Sequence, residues 1–206
     1  MLKIWGRTTS SNVQKVLWCC AELGIDYERV DWGGPFGGNQ DPDYLAMNPN
    51  GRVPTIQDGD LIVWESNTIC RYLAATRGGE RLYPAAPGRR AHVERWMDWQ
   101  LSTIGPPMGQ LLYGLIRTKP EARDQAAIEA ARRKALTAWT IVEDALAASP
   151  FLAGDSLSLA EIVVGTLVYR WHAFPIERPP LHRLKSWYER MRERPAFKTH
   201  IEIPIT

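Results

Sequence analysis

The sequence has 206 residues, of which 45% are hydrophobic, so the chain is long enough for one large domain or two small domains with a substantial core. Its 25 Lys and Arg residues against 23 Asp and Glu residues give a net charge of +2, which offers no electrostatic basis for binding nucleic acid. The N-terminus lacks the apolar segment of a signal peptide, and no apolar run approaches the ~20 residues that span a bilayer. We therefore expect a cytoplasmic protein that does not act in a membrane.

The three cysteines, Cys19, Cys20 and Cys70, do not form the pattern of a disulfide framework. Adjacent cysteines rarely pair with each other, and the sequence has neither a Cys-x-x-Cys pair nor a cluster of cysteine and histidine. We therefore predict no metal site and no dithiol redox centre, and interpret the cysteines as small buried hydrophobic residues.

Strand-like and helix-like patterns alternate in the first part of the chain. An apolar run at residues 2–5 predicts a strand. Apolar residues then recur at the spacing of one helical face, namely Val13, Val16, Leu17 and Cys20. Gly24 stands where the C-cap of this helix would lie, and residues 27–31 resume as a strand before a loop rich in Gly and Pro.

A β-hairpin and a third helix complete this part. Residues 54–57 and 61–64 read as two strands joined at Asp58-Gly59, and Ser66 is placed to cap the helix that follows. The order βαβ, a loop or short helix, and then ββα predicts a mixed four-stranded sheet flanked by three helices.

The Pro- and Gly-rich stretch between Gly78 and Gly88 is the best candidate for a domain boundary. We place a first domain at residues 1–80 and a second at residues 88–206. Every later pattern has the helical period, which predicts a bundle of about five helices. The predicted segments are 89–117, bent near Gly105-Pro106-Pro107, then 121–148, 158–172, 181–192 and a short piece around Ala196.

Four consecutive hydroxyl residues, Thr8 to Ser11, lie between the first strand and a helix that begins near Asn12. The N-terminus of a helix presents unpaired N–H groups and a positive dipole end, so a hydroxyl donor there can help to stabilise a thiolate. Plain capping of the helix by Ser or Thr explains the same residues without any function.

Two further segments each allow both a functional and a structural interpretation. A cis bond before Pro54 would expose the backbone of Val53 to a ligand, although a turn that enters a strand accounts for the same residues. Glu65 and Ser66 at the start of the third helix could bind a zwitterion, the carboxylate taking the ammonium group and the hydroxyl taking the acid. They are equally suited to capping that helix.

The three segments together are more specific than any one of them. A hydroxyl turn, an x-V-P-x-I strand and an E-S helix start, in this order and spacing, resemble the N-terminal domain of the glutathione transferases, most closely the bacterial Ser-type, theta-like and nu-like groups. The segment LAGDSLSLAEI at Leu152 to Ile162 resembles the family's helical-domain motif, with a capping box at Ser158 and Glu161. Glu161 departs from the aspartate that the family usually has there.

The resemblance covers essentially the whole chain and implies a thioredoxin-like, glutathione-binding first domain followed by an all-helical second domain. It assigns the activation of the glutathione thiol to Ser10, with Ser11 as the alternative because the register of the two serines is ambiguous by one. Asn12 matches a position that also approaches the thiol in nu-like members. The absence of Tyr or Cys at the activating position argues against the classes that use those residues.

The resemblance also assigns roles in holding glutathione. The backbone of Val53, beside a cis Pro54, would pair with the cysteinyl part, and Glu65 and Ser66 would hold the γ-glutamyl end. Weaker candidates for the glycyl end are Asn39, Gln40 and Arg52.

The second substrate, a small hydrophobic electrophile, would lie between the domains against the first long helix of the second domain. Candidates for that pocket are Trp99, Thr103, Met108, Leu112 and Tyr113. The reaction needs no metal and no other cofactor, because glutathione is itself a co-substrate. The family usually forms homodimers in which the first domain of one subunit meets the second domain of its partner.

Two alternatives to glutathione transfer stay open from the sequence. The same site could serve a glutathione-dependent peroxidase, isomerase or dehalogenase. The chain could also be a non-catalytic binding module with this fold, although Ser10, Glu65 and Ser66 are all present, which weighs against that role.

Overall fold

A mixed four-stranded sheet organises the first part of the chain in the computed structural model, which describes residues 1–206. The strands are β1 (Leu2–Trp5), β2 (Tyr27–Val30), β3 (Thr55–Asp58) and β4 (Leu61–Trp64), in the order β2-β1-β3-β4. β1 runs parallel to β2 and antiparallel to β3, and β3 and β4 form the predicted hairpin. The predicted sheet is confirmed.

Three α-helices accompany this sheet. They are α1 (Ser11–Leu23), α2 (Pro42–Met47) and α3 (Ser66–Thr76). α1 ends at Gly24, whose φ of 64° is left-handed and so is easily adopted by glycine, and its N–H bonds back to the carbonyl of Ala21.

The remainder of the chain is helical, as predicted. Its α-helices are α4 (Pro87–Trp99), α5 (Gly105–Leu112), α6 (Gln125–Ala145), α7 (Leu159–Ala173), α8 (His182–Arg192) and α9 (Pro195–His200). Its single β-type contact is an isolated bridge between Phe151 and Gly154. None of the helices is both long and apolar enough to cross a bilayer.

The segment from α4 to Arg117 continues without a break through two π-helical segments. The first, Gln100–Ile104, joins α4 to α5, and the second, Tyr113–Arg117, follows α5. Pro106 and Pro107 have no N–H to donate and crowd the preceding turn, so the wider hydrogen-bonding pattern appears immediately before them. The sequence predicted a bend at this point, and the structure shows a local change from α-helix to π-helix there.

α1 is buried on every side. All residues from Val13 to Cys20 are buried, although the apolar pattern predicted only one buried face. α3 covers one side, while α7 and α9 of the second part cover the other. Trp18 meets the ring of Phe197 edge to face at 5.1 Å and packs on Gly165 of α7, so α1 forms the principal contact between the two parts of the chain.

The predicted capping box starts α7. The two oxygens of the fully buried Glu161 carboxylate accept hydrogen bonds from the N–H of Leu152 at 2.5 Å, and from the N–H and hydroxyl of Ser158 at 2.8 Å each. One side chain therefore ties the loop before α7 to the first turn of the helix.

The contact between Trp18 and Gly165 yields a prediction about stability. A methyl group at residue 165 would lie 2.8 Å from Cζ3 of Trp18, and a close-packed core tolerates such overlap poorly. We expect Gly165→Ala to lower the free energy of unfolding by about 1–3 kcal/mol, measured by urea denaturation. Gly88→Ala is the matched control, because nothing lies within 4 Å of a methyl group there, and it should leave stability unchanged or raise it. Equal effects of the two variants would contradict the packing described here.

The capping box yields a second prediction. Glu161→Gln places an amide N–H₂ against the donors that the carboxylate now satisfies, and we expect it to lower the free energy of unfolding by about 1–3 kcal/mol. Glu193 is exposed, so Glu193→Gln should change stability by less than ~0.5 kcal/mol. If Glu161→Gln lowers the free energy of unfolding no more than Glu193→Gln does, the capping box does not stabilise α7.

Candidate active site

The largest cleft near the predicted site has a volume of about 520 Å³ and opens between the two parts of the chain, at the N-terminus of α1. Its walls come from the turn after β1, the loop before β3, the segment Gly105–Arg117 and α7. The lining residues are Arg7, Thr9, Ser10, Ser11, Asn12, Asn39, Arg52, Val53, Gly105, Gly109, Leu112, Tyr113, Arg117 and Arg170.

Ser10, Ser11 and Asn12 all line this cleft. Ser10 occupies the N-cap position of α1 with extended backbone angles, but its side chain makes no capping hydrogen bond. The Ser10 hydroxyl therefore does not cap the helix and can donate a hydrogen bond into the cleft. The first N–H groups of α1 and its positive dipole end face the same space, so the site is suited to stabilising an anion.

The loop before β3 presents the backbone of Val53. The Tyr44 hydroxyl and the Asn48 amide donate to the carbonyl of Arg52 at 2.8 and 2.7 Å and hold the loop in place. The Val53–Pro54 bond is cis, and the N–H and C=O of Val53 make no backbone hydrogen bond. A ligand in the cleft can therefore pair with an exposed peptide group of Val53.

A smaller recess of about 110 Å³ continues from the cleft towards the start of α3. Glu65 and Ser66 lie there, next to Asn12. Glu65 has a φ of 71°, and it is the one non-glycine residue with positive φ. Such a conformation costs about 1–3 kcal/mol and is concentrated at functional sites. It sets the exposed Glu65 carboxylate at the mouth of the recess, beside the Ser66 hydroxyl.

Four arginines give the cleft a strong positive charge. Arg7, Arg52, Arg117 and Arg170 all line it, and none of them forms a salt bridge with an Asp or Glu side chain. Arg117 donates to the main-chain oxygen of Thr206 at 3.1 Å. Burial, and then repulsion from Arg117 and Arg7, lowers the pKa of Arg170 to about 10, and its guanidinium donates to the carbonyl of Thr9 at 2.9 Å. These cations are positioned to receive a negative charge.

The sequence interpretation missed three of these arginines. Arg7 lies in the hydroxyl turn, Arg117 ends the second π-helical segment, and Arg170 comes from α7. No local pattern indicates that residues so far apart in sequence meet. The missed Asn48 and Asn50 line the smaller recess, where Asn48 supports the loop of Val53.

The residues proposed for the electrophile pocket separate into two groups. Leu112 and Tyr113 line the cleft together with Gly105 and Gly109, at the spacing of one helical face. The other three project elsewhere. Met108 is buried in the core, Trp99 packs edge to face on Trp96 at 5.2 Å, and Thr103 is exposed beside Ser102.

The candidates for the glycyl end also separate. Asn39 and Arg52 line the cleft, and the Asn39 amide donates to the carbonyl of Gly51 at 2.6 Å. Gln40 is exposed next to Gly51 and does not line the cleft.

Comparison with known proteins agrees with this geometry. Residues 1–75 match the family model for the glutathione S-transferase N-terminal domain, and residues 125–190 match a model for the C-terminal domain. The chain is 41% identical to glutathione S-transferase GstB of Escherichia coli K12 over the full length of both chains. It is 32% identical to glutathione S-transferase 3 of Zea mays, with 99% of this chain and 95% of that protein aligned.

Solved structures include a similarly close relative. The theta class glutathione S-transferase of Xanthomonas axonopodis pv. citri with glutathione bound superposes with a TM-score of 0.96 at 46% identity, covering 100% of this chain and 99% of that one. The resemblance read from the hydroxyl turn, the Val53-Pro54 loop and the Glu65-Ser66 helix start is therefore confirmed, and the chain belongs to the glutathione S-transferase family.

Proposed function

We propose that this glutathione transferase binds glutathione along the cleft with its thiol at Ser10, and joins the glutathione through its sulfur to a small electrophile that carries a negative charge. The observation that carries the first half is the uncommitted Ser10 hydroxyl at the positive end of α1. The observation that carries the second half is the set of four arginines around the same space, none of which is paired with an Asp or Glu side chain.

The chemistry requires the thiolate, because a thiol with a pKa near 8.5 is only a few per cent ionised at about pH 7. Lowering that pKa by ~2 units takes ~2.7 kcal/mol of preferential anion stabilisation. A hydroxyl donor together with a helix N-terminus supplies an interaction of this size. The thiol proton passes to solvent, the sulfur forms a bond to the electrophilic carbon, and the leaving group departs with its electron pair.

The lining residues suggest how glutathione lies. The exposed peptide of Val53 suits the cysteinyl backbone, and Glu65 with Ser66 suits the ammonium and carboxylate of the γ-glutamyl end. Asn39 and Arg52 suit the glycyl carboxylate, because Asn39 lines the cleft outside that recess and the Arg52 guanidinium, which borders both cavities, can pair with a carboxylate.

The charge of the cleft modifies the expected second substrate. Its apolar lining is limited to Val53, Leu112 and Tyr113, next to Arg7, Arg117 and Arg170. A purely hydrophobic electrophile would leave these guanidinium groups without a counter-ion, whereas a carboxylate-bearing electrophile would pair with them. Conjugation of such reactive acids to glutathione is a detoxification chemistry.

A homodimer accords with the apolar surface that the single chain leaves exposed. Leu61 and Trp64 on the edge strand β4 and Leu101 in the first π-helical segment are large exposed hydrophobic residues, one set on each part of the chain. Pairing the first part of one subunit with the second part of another would cover both.

The role of Ser10 is tested by Ser10→Ala. We expect the pKa of enzyme-bound glutathione to rise towards its free value, because a charge-assisted hydrogen bond to the thiolate is lost. At a pH below the pKa of glutathione bound to the wild-type enzyme, turnover should fall by about 10- to 100-fold while the affinity for glutathione changes little. Thiolate absorbance of the binary complex, titrated against pH, gives the pKa directly.

Ser11→Ala is the matched control for this experiment, since Ser11 lines the same cleft one residue further along α1. If Ser11→Ala shifts the thiol pKa and Ser10→Ala does not, Ser11 is the activating residue. If neither variant shifts it, the helix N–H groups or Asn12 stabilise the thiolate.

The charge of the second substrate is tested with two electrophiles of the same shape, a chloronitrobenzoate and its uncharged methyl ester. We expect Arg117→Gln to lower kcat/KM for the acid about tenfold and to leave the ester nearly unchanged, because only the acid loses a charged hydrogen bond. Arg89 is exposed outside the cleft, so Arg89→Gln should affect neither electrophile. Equal losses for acid and ester in Arg117→Gln would contradict the proposed selectivity for anions.

A further inference from the structure

A lysine that the sequence interpretation did not single out is buried beneath the smaller recess. Lys15 of α1 has no exposed surface, and its ammonium group donates to Ser66 Oγ at 3.4 Å, Asn67 Oδ1 at 3.1 Å and Gln100 Oε1 at 2.6 Å. Three acceptors satisfy its three protons. All three are neutral, and Lys15 forms no ion pair, so the hydrogen bonds are complete while no group in contact with the ammonium carries a negative charge.

An unpaired buried cation is costly in a folded protein. Burial lowers the pKa of Lys15 to about 8, and the nearby Cys70 and Glu65 oppose that shift. Both of these groups belong to α3 or its N-cap, whereas the second part of the chain contributes the neutral Gln100. At neutral pH Lys15 is therefore charged, in a place where an additional anion would stabilise it.

The network also fixes the direction of the Ser66 hydroxyl. A serine hydroxyl has one proton, and Lys15 donates to its oxygen, so that proton must point elsewhere. It points to Asn12 Oδ1 at 3.4 Å, a residue that lines both the recess and the main cleft. At 3.4 Å this contact is long, so a carboxylate in the recess can take the proton in place of Asn12. Ser66 then acts as a donor to the ligand, and its donation is strengthened because the ammonium group polarises the oxygen.

We propose that the α-carboxylate of the γ-glutamyl residue of glutathione is the missing counter-ion of Lys15, with Ser66 relaying the interaction between them. Lys15 is then a positioning residue that acts through Ser66 and makes the recess selective for a carboxylate. This inference rests on the proposed orientation of glutathione, and it adds a residue that lies outside the cleft lining.

The linkage between binding and protonation follows from the sign of the pKa shift. In the free protein the pKa of Lys15, about 8, lies below the 10.5 of an ordinary lysine, so an anion bound through Ser66 raises it back towards that value. Binding therefore takes up protons between about pH 8 and 10.5, and affinity falls as the pH rises through this range.

The test compares two ligands with blocked thiols, S-methylglutathione and its analogue in which hydrogen replaces the γ-glutamyl α-carboxylate. Affinities are measured by calorimetry for the wild-type protein, Lys15→Met and Lys134→Met. Lys134 is exposed on α6 and is the matched control. In parallel, the pKa of Lys15 is measured by NMR of ¹³Cε-labelled lysine in the wild-type protein with each ligand.

We expect the wild type and Lys134→Met to favour S-methylglutathione over the analogue by about tenfold or more, and Lys15→Met to lose most of that preference. S-methylglutathione should raise the pKa of Lys15 and the analogue should not. An unchanged preference in Lys15→Met, or a Lys15 pKa that S-methylglutathione does not move, would overturn the inference while leaving glutathione binding intact. If Lys15→Met does not fold, the NMR measurement on the wild type decides alone. Failure of the wild type to bind S-methylglutathione would instead overturn the proposed function.

Discussion

The position of α1 is the constraint on which the rest of the structure depends. This helix is covered by α3 on one side and by α7 and α9 on the other, so it is held against both parts of the chain. Its first turn supplies Ser10, Ser11 and Asn12 to the cleft, and its next turn supplies Lys15 to the interior. A site that must hold a reactive anion within tenths of an ångström gains its rigidity from this burial.

Nearly all the charged groups around the cleft favour the binding of anions. The dipole of α1, the four arginines and the buried Lys15 all favour anions, whereas Glu65 is the one acid lining either cavity. Glutathione carries two carboxylates, a thiolate when activated and a single ammonium group, and its charges match this arrangement. The proposed binding mode would also give the strained backbone of Glu65 a role, because that conformation sets the sole carboxylate in the recess.

The sequence predicted the features that local patterns encode. The periodicity of apolar residues predicted the strands and helices, and the capping box predicted the start of α7. Three short motifs pointed to the serines, Val53 and the Glu65-Ser66 pair as candidate site residues. The cationic wall could not be predicted in this way, because Arg7, Arg117 and Arg170 meet only after the two parts pack. Lys15 was missed for a related reason. It lies outside the apolar face predicted for α1, and only α7, which is buried nearly all round, could have indicated a second layer that covers α1.

The packing of Trp18 against Gly165 limits how the chain can be divided or recombined. A fragment ending near residue 80 would display the indole and the neighbouring buried face of α1 to water, which favours self-association over independent folding. A chimera that takes its first half from a relative with a smaller residue in place of Trp18 would instead leave a void opposite Gly165. The two halves can therefore be exchanged only as a matched pair, because the large Trp18 side chain on α1 requires a residue without a side chain, Gly165, on α7.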